Sequence, residues 1–169
     1  MGGYWSGDPD EVVPGLYIGN VRGARDKPVL DRAGVTHVVD VSAVPYEAHA
    51  GVRYLRLPIP DVPEFDIRTV IARTNAFIRD GILRGGRVLV HCKMGRSRSA
   101  AVVIAYLMAF GKMTFAQALQ LLADARPIVE PNRGFADQLR AYQTELEHYR
   151  RRFLSFHHPT TAKKYIKST

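Results

Sequence analysis

The chain has 169 residues, 46% of them apolar, and a net charge of +8, which is enough for one domain with a core of its own. No apolar run reaches membrane-spanning length; the longest, residues 100–110, has the length of a buried helix. Its single cysteine, Cys92, excludes an internal disulfide, and with no signal-peptide pattern this predicts a reducing, intracellular setting.

Residues 1–11, MGGYWSGDPDE, are glycine-rich and predict a flexible N-terminus. They fit the N-myristoylation pattern M-G-x-x-x-[ST] through Gly2 and Ser6. Residues 12–20, VVPGLYIGN, alternate apolar positions around Pro14-Gly15 and predict a hairpin. Residues 28–33 predict a short helix that begins on a proline at a permitted first-turn position and stops at Gly34. Two strands follow. Residues 36–41 form one buried on both faces, and residues 52–57 form one that alternates, with Arg53 and Arg56 on the wetter side.

The loop after the second strand, PIPDVPEFD, holds three carboxylates, Asp61, Glu64 and Asp66. Asp66 suits the N-cap of a helix over residues 66–84, whose apolar face is Ile67, Val70, Ile71, Thr74, Phe77, Ile78 and Ile82. Gly85-Gly86 ends that helix and returns the chain to a β-branched run, Val88 to Val90. Next comes His91-Cys92, a basic glycine-containing loop, and an apolar helix that closes at Gly111.

Thr114 to Gln117 is a capping box opening a helix to about Ala125. Pro131-Asn132 opens the last helix, where Phe135, Leu139, Tyr142, Leu146, Tyr149 and Phe153 step by three and four as a core stripe. From residue 150 to the end there are six basic residues and no acidic one, which leaves +2 for the rest. Basic charge is therefore a property of the tail, and nothing else suggests nucleic-acid binding. Alternating strands and helices predict an α/β fold, a central, mostly parallel sheet flanked by helices. The predicted divisions are 1–11, 12–150 and a basic tail at 151–169.

The chemistry concentrates at HCKMGRSRS, residues 91–99. A loop that opens a helix aims its N–H groups at one point and adds the positive end of the helix dipole, making an anion site. Placed there, Cys92 is favoured as a thiolate, the nucleophilic form. Arg98 offers a planar fork for two phosphate oxygens, Ser99 can donate to the sulfur, and Gly95 allows a sharp turn. Inert core cysteine would leave His91, Arg98 and Ser99 unexplained, and a Walker loop would need GxxxxGK[ST]. Sulfur attack on a phosphate ester also needs an acid for the leaving oxygen. Asp61 leads on position, because strand ends are where ligands bind in such sheets; its plain alternative is an ordinary turn aspartate. His91 is expected to hold the loop by local hydrogen bonds. His37, His49, His148, His157 and His158 show no metal-ligand spacing, so no metal is expected.

With these residues in place the chain resembles the cysteine-dependent dual-specificity protein phosphatases, whose HCxxGxxRS signature it matches from His91 to Ser99. Similar text recurs at VVPGLYIGN, PIPDVPEF, AAVVIAYLM and ARPIVEPNRGF, together most of the chain. The resemblance implies attack by Cys92, phosphate oxygens held by Arg98 and the loop of Lys93, Met94, Gly95, Arg96 and Ser97, and Asp61 as general acid, then base. It further implies help from Ser99, support from His91 and Asn132, and no cofactor. A short chain without the pocket-deepening loop of tyrosine-only relatives implies phosphoserine, phosphothreonine and phosphotyrosine in proteins as substrates, as in the small atypical subgroup. The implied location is cytoplasmic or nuclear, with membrane contact through an acylated Gly2 or the basic tail. Two other readings stay open: an idle phospho-binding scaffold on this fold, and a phosphatase of phosphoinositide, glycan or RNA 5′ phosphate. Arg96 either favours substrates with an acid or second phosphate beside the target or forms a structural ion pair. Arg126 is a second candidate for that preference.

Overall fold

The computed structural model describes residues 7–156. The Gly2–Ser6 acylation pattern and the tail past 156 lie outside the described residues. The chain runs β1 (Asp10–Val13), β2 (Leu16–Asn20), α1 (Val21–Ala24), α2 (Lys27–Ala33), β3 (His37–Asp40), β4 (Arg53–Arg56), α3 (Arg68–Leu83), β5 (Val88–Cys92), α4 (Arg98–Phe110), α5 (Phe115–Ala125) and α6 (Arg133–Phe156). The strands form one sheet in the order β1-β2-β5-β3-β4, in which only β1 runs antiparallel.

Strand periodicity sorts the helices into two layers. Leu16, Ile18, Val39, Val88 and Val90 face α3 to α6, while Tyr17, Val38 and Leu89 between them face α1 and α2. β5 sits at the centre, and α4 is buried from Ser99 to Met108. Sequential residues of β5 are thus clamped from both sides, and its C-terminal end is held firmly.

Most predicted elements appear where their local signals place them. The Pro14-Gly15 turn has Gly15 at φ +81°, Gly34 closes α2 in the left-handed region, and the Thr114–Gln117 capping box opens α5. The four-residue α1, capped by Asn20 Oδ1 on the Gly23 N–H at 3.1 Å, is too short to show a period.

Three readings need correction. α3 starts at Arg68, so Asp66 is not its N-cap; the carboxylate instead accepts the Arg68 N–H from outside the helix at 3.1 Å. The C-terminal part of the α6 stripe is not core, since Tyr149 is 70% and Phe153 72% exposed. α6 outruns its partner there, for α4 ends at Phe110, where Arg150 Nη2 donates to the Met108 carbonyl. The divisions at 11 and 150 also fall inside elements, because Asp10 already pairs with Ile18 in the hairpin and α6 continues to Phe156.

Candidate active site

The parallel strands β5, β3 and β4 end at the same edge of the sheet, and the loops leaving their C-terminal ends assemble the site. β5 delivers Cys92, opposite Asn20 of β2 in the register. The loop then doubles back through Gly95 at φ +69°, where a Cβ would lie 2.5 Å from the Gly19 carbonyl oxygen. Only glycine fits both constraints. The turn folds the loop around the sulfur: Cys92 Sγ accepts the Gly95 N–H at 3.2 Å and lies 3.2 Å from Ser99 Oγ, with the residue 2% exposed.

Arg98, the first residue of α4, is oriented by the other two strands. Its Nη1 donates to the carbonyls of Ser42, beyond β3, at 2.8 Å and of Ile59, beyond β4, at 3.2 Å. Its Nε is buried, makes no hydrogen bond, and lies 3.8 Å from Asp61 Oδ2. Asp61 is itself fixed through the other oxygen, since Oδ1 accepts from Ser97 Oγ at 2.6 Å and Asn132 Nδ2 at 2.9 Å. Ser97 Oγ in turn accepts the Asn132 N–H at 3.0 Å. The loop serine therefore couples the acid loop, the phosphate loop and the start of α6.

Below the loop, His91 is fully buried. Its Nε2 meets Tyr46 Oη at 2.7 Å and lies 3.5 Å from Asp40 Oδ1, while Nδ1 lies 3.4 Å from the Cys92 carbonyl oxygen. Burial holds its pKa below the ordinary 6.5, against the opposing pull of Asp40. Burial likewise raises that of Tyr46. The ring is thus a neutral hydrogen-bonding brace for the cysteine backbone, in line with the local supporting role expected of it.

Two arginines are corrected or resolved by their partners. Arg126 is 3% exposed and turned inward, with Nε donating to the Gly95 carbonyl at 2.9 Å, Nη2 to the Met94 carbonyl at 3.1 Å and Nη1 to Asp10 Oδ2 at 2.6 Å. It holds the loop from beneath and cannot read a substrate. Arg96 ion-pairs with Glu130, whose N–H also donates to the Arg96 carbonyl at 2.8 Å. Of the two alternatives for Arg96, the ion pair is the one present. Lys93 is exposed, and its carbonyl accepts the Val21 N–H at 3.4 Å.

A cleft of about 390 Å³ brings Asp61, Cys92, Met94, Arg96, Ser97 and Arg98 together with residues 130–133. Glu64 is not among its walls. Glu130 and Arg133 join it from the ARPIVEPNRGF segment, where the Glu130 N–H on the Arg96 carbonyl at 2.8 Å ties the turn to the distant loop. The cleft offers a sulfur that already accepts a loop N–H, a buried guanidinium edge and a carboxylate 3.8 Å from that edge. That combination can bind a tetrahedral oxyanion, attack it and protonate what leaves.

Known proteins resemble this chain in sequence and in fold. The family model described as "Dual specificity phosphatase, catalytic domain" matches residues 16–145. Human dual specificity phosphatase 28 is 43% identical over 137 residues, covering 80% of this chain and 78% of that protein. MAP kinase phosphatase with leucine-rich repeats protein 3 of Dictyostelium discoideum is 39% identical over 140 residues; the match takes in 82% of this chain but only 16% of that longer protein. The crystal structure of human DUSP28 superposes with a TM-score of 0.78 at 41% identity, over 82% of this chain and 95% of that one. By family model, sequence and architecture together, the chain belongs to the dual specificity phosphatases of the cysteine-dependent superfamily.

Proposed function

We propose that this phosphatase hydrolyses phosphotyrosine, phosphoserine and phosphothreonine in proteins through a phosphocysteine intermediate, with Cys92, Arg98, Asp61 and Ser99 in the reacting roles. In the first step the Cys92 thiolate attacks phosphorus in line. The N–H groups of residues 93–98 and the Arg98 guanidinium hold the equatorial oxygens. The P–O bond to the substrate breaks and Asp61 gives its proton to the departing oxygen. In the second step the Asp61 carboxylate takes a proton from water, the resulting oxygen attacks phosphorus, and the P–S bond breaks as Ser99 donates to the sulfur. Phosphate is released and Asp61 is protonated again, so the cycle closes without a cofactor.

The observation that carries this reading is the placement of the sulfur. Cys92 Sγ lies 3.2 Å from both the Gly95 nitrogen and Ser99 Oγ, and the Nε of Arg98, without a hydrogen bond, lies 3.8 Å from Asp61 Oδ2. Support for acceptance of all three phosphoresidues is the family model. Location in the cytoplasm and acylation of Gly2 belong to the same proposal and rest on the sequence pattern alone.

Hydrolysis of an aryl phosphate tests it. The activity should survive EDTA and vanish in Cys92→Ser. Asp61→Asn should slow a phosphoprotein by about 100-fold but an ester with a good leaving group by much less, because only the poor leaving group needs the proton. Activity persisting in Cys92→Ser would overturn the mechanism. Phosphopeptide binding without hydrolysis would favour the scaffold reading, and hydrolysis confined to lipid, glycan or RNA phosphates the non-protein one.

A further inference from the structure

At the same edge of the sheet lies a second cleft, about 400 Å³, bounded by Asp40, Ala43, Val44, Pro45, Arg56 and Pro58. Its walls are the chain leaving β3 and the chain leaving β4. Both walls are tied to the phosphate site through one group, for Arg98 Nη1 donates to Ser42 and Ile59, the neighbours of Ala43 and Pro58 in the chain. The two clefts share no lining residue, but Arg98, which lines the first, is bonded to the chain next to both walls of the second.

The wall on the β3 side is a built structure. Ser42 donates from its N–H and its Oγ to Asp40 Oδ1, at 2.9 and 2.7 Å, and its Oγ accepts the Val44 N–H at 3.0 Å. This knot holds Ala43 at φ +58°, a left-handed conformation that a residue with a Cβ adopts rarely and that clusters at functional loops. The charged groups in the walls have contacts of their own, although Arg56 is exposed. Asp40 is 5% exposed and accepts from Ser42. Arg56 donates to the Tyr46 carbonyl at 2.9 Å and lies over the Tyr46 ring, 4.6 Å from its centroid. The surface left for a ligand is the apolar one of Ala43, Val44, Pro45 and Pro58.

Resting on the phosphatase reading, we propose that this cleft is a substrate subsite for an apolar side chain two residues from the phosphorylated one. The spacing comes from the sheet. Neighbouring strands lie about 4.8 Å apart, so a cleft between β3 and β4 is centred about 7 Å from the line of β5, which carries Cys92. An extended peptide rises about 3.3 Å per residue and returns a side chain to the same face every second residue. A phosphoresidue over Cys92 therefore aims the side chain two positions away at the cleft. The preference is for leucine-like groups, because the surface of Ala43, Val44, Pro45 and Pro58 is apolar and the exposed Arg56 guanidinium is laid over the Tyr46 ring.

Phosphotyrosine peptides carrying leucine, alanine or aspartate two residues before or two residues after the phosphotyrosine test it. The readouts are Kd with the Cys92→Ser protein and kcat/KM with the wild type, each as a ratio between peptides. Leucine should be favoured over alanine about tenfold at one of the two positions, and over aspartate as well. Val44→Asp and Pro45→Asp, the latter at an exposed position, should each bring the leucine ratio to about one. No leucine preference at either position, or a preference that survives both substitutions, overturns the subsite. Leucine preference in binding with no hydrolysis by the wild type would uphold the subsite and overturn the mechanism instead.

Discussion

Asn132 serves two structures at once. Its Oδ1 accepts the Phe135 N–H at 3.0 Å and so caps α6, while its Nδ2 donates to Asp61. Both hydrogen bonds that Asp61 receives, from Asn132 and Ser97, fall on Oδ1. Oδ1 is thereby committed as an acceptor, and Oδ2 is the oxygen left to carry the transferable proton. Asn132→Ala should therefore lower kcat/KM toward a phosphoprotein about tenfold and spare an aryl ester with a good leaving group, with stability falling by about 1 kcal/mol for the lost cap. Asn132→Asp separates the two effects: the cap acceptor is retained, the donor to Asp61 is replaced by a carboxylate, and activity should fall without the loss in melting temperature. The sequence singles out Asp61 among three carboxylates by its nearness to the strand end, with an ordinary turn aspartate as the alternative. Its bonds to Ser97 and Asn132 were not legible, since they join positions 36 and 71 residues apart whose meeting no local pattern encodes. Arg96 had the same opacity, its partner Glu130 lying 34 residues on.

At the scale of elements, the phosphate loop is held in shape by a strut. Arg126, at the end of α5, reaches two carbonyls of the loop and the carboxylate of Asp10 on β1. Removing the guanidinium leaves those carbonyls without donors in a buried place and Asp10 without its counter-charge. Arg126→Ala should destabilise the fold by about 2–4 kcal/mol in urea unfolding and lower kcat/KM as the loop loosens, with partial recovery in Arg126→Lys. The elements themselves were largely readable where the signal was local: a Pro-Gly turn, a capping box, the glycine after α2. They were misread where the outcome depended on a neighbour. The stripe of α6 has the same spacing throughout, but Phe135 and Leu139 meet α4 while Tyr149 and Phe153 lie beyond its end. Likewise Gln138 Oε1 on α6 accepts the Ile67 N–H at 2.8 Å, and α3 begins only after that bond.

For the whole molecule, the buried His91 makes stability depend on pH. Above about pH 6.5, its ordinary pKa, folded and unfolded chains both hold it neutral and the brace is fully effective. As pH falls below that value the unfolded chain takes up a proton that the folded one resists, so stability is lost on the acid side. The melting temperature should fall between pH 7 and pH 5, and the fall should be smaller in His91→Gln. The α/β architecture was legible from the alternation of strand and helix text, and the buried centre of the sheet from the apolar runs. Which strands neighbour which was not, because the order β1-β2-β5-β3-β4 depends on crossovers rather than on the composition of any strand.

The strut also fixes when the site can exist. Asp10 and Arg126 are separated by 116 residues and meet directly beneath the cysteine loop. During synthesis Cys92 emerges 34 residues ahead of Arg126, so a ribosome-bound chain carries the HCKMGRSRS text for about 2–7 s without its support. Closing so long a loop costs entropy that only the rest of the packed core can offset. The braced anion cradle is therefore complete only once the chain has been made past α5.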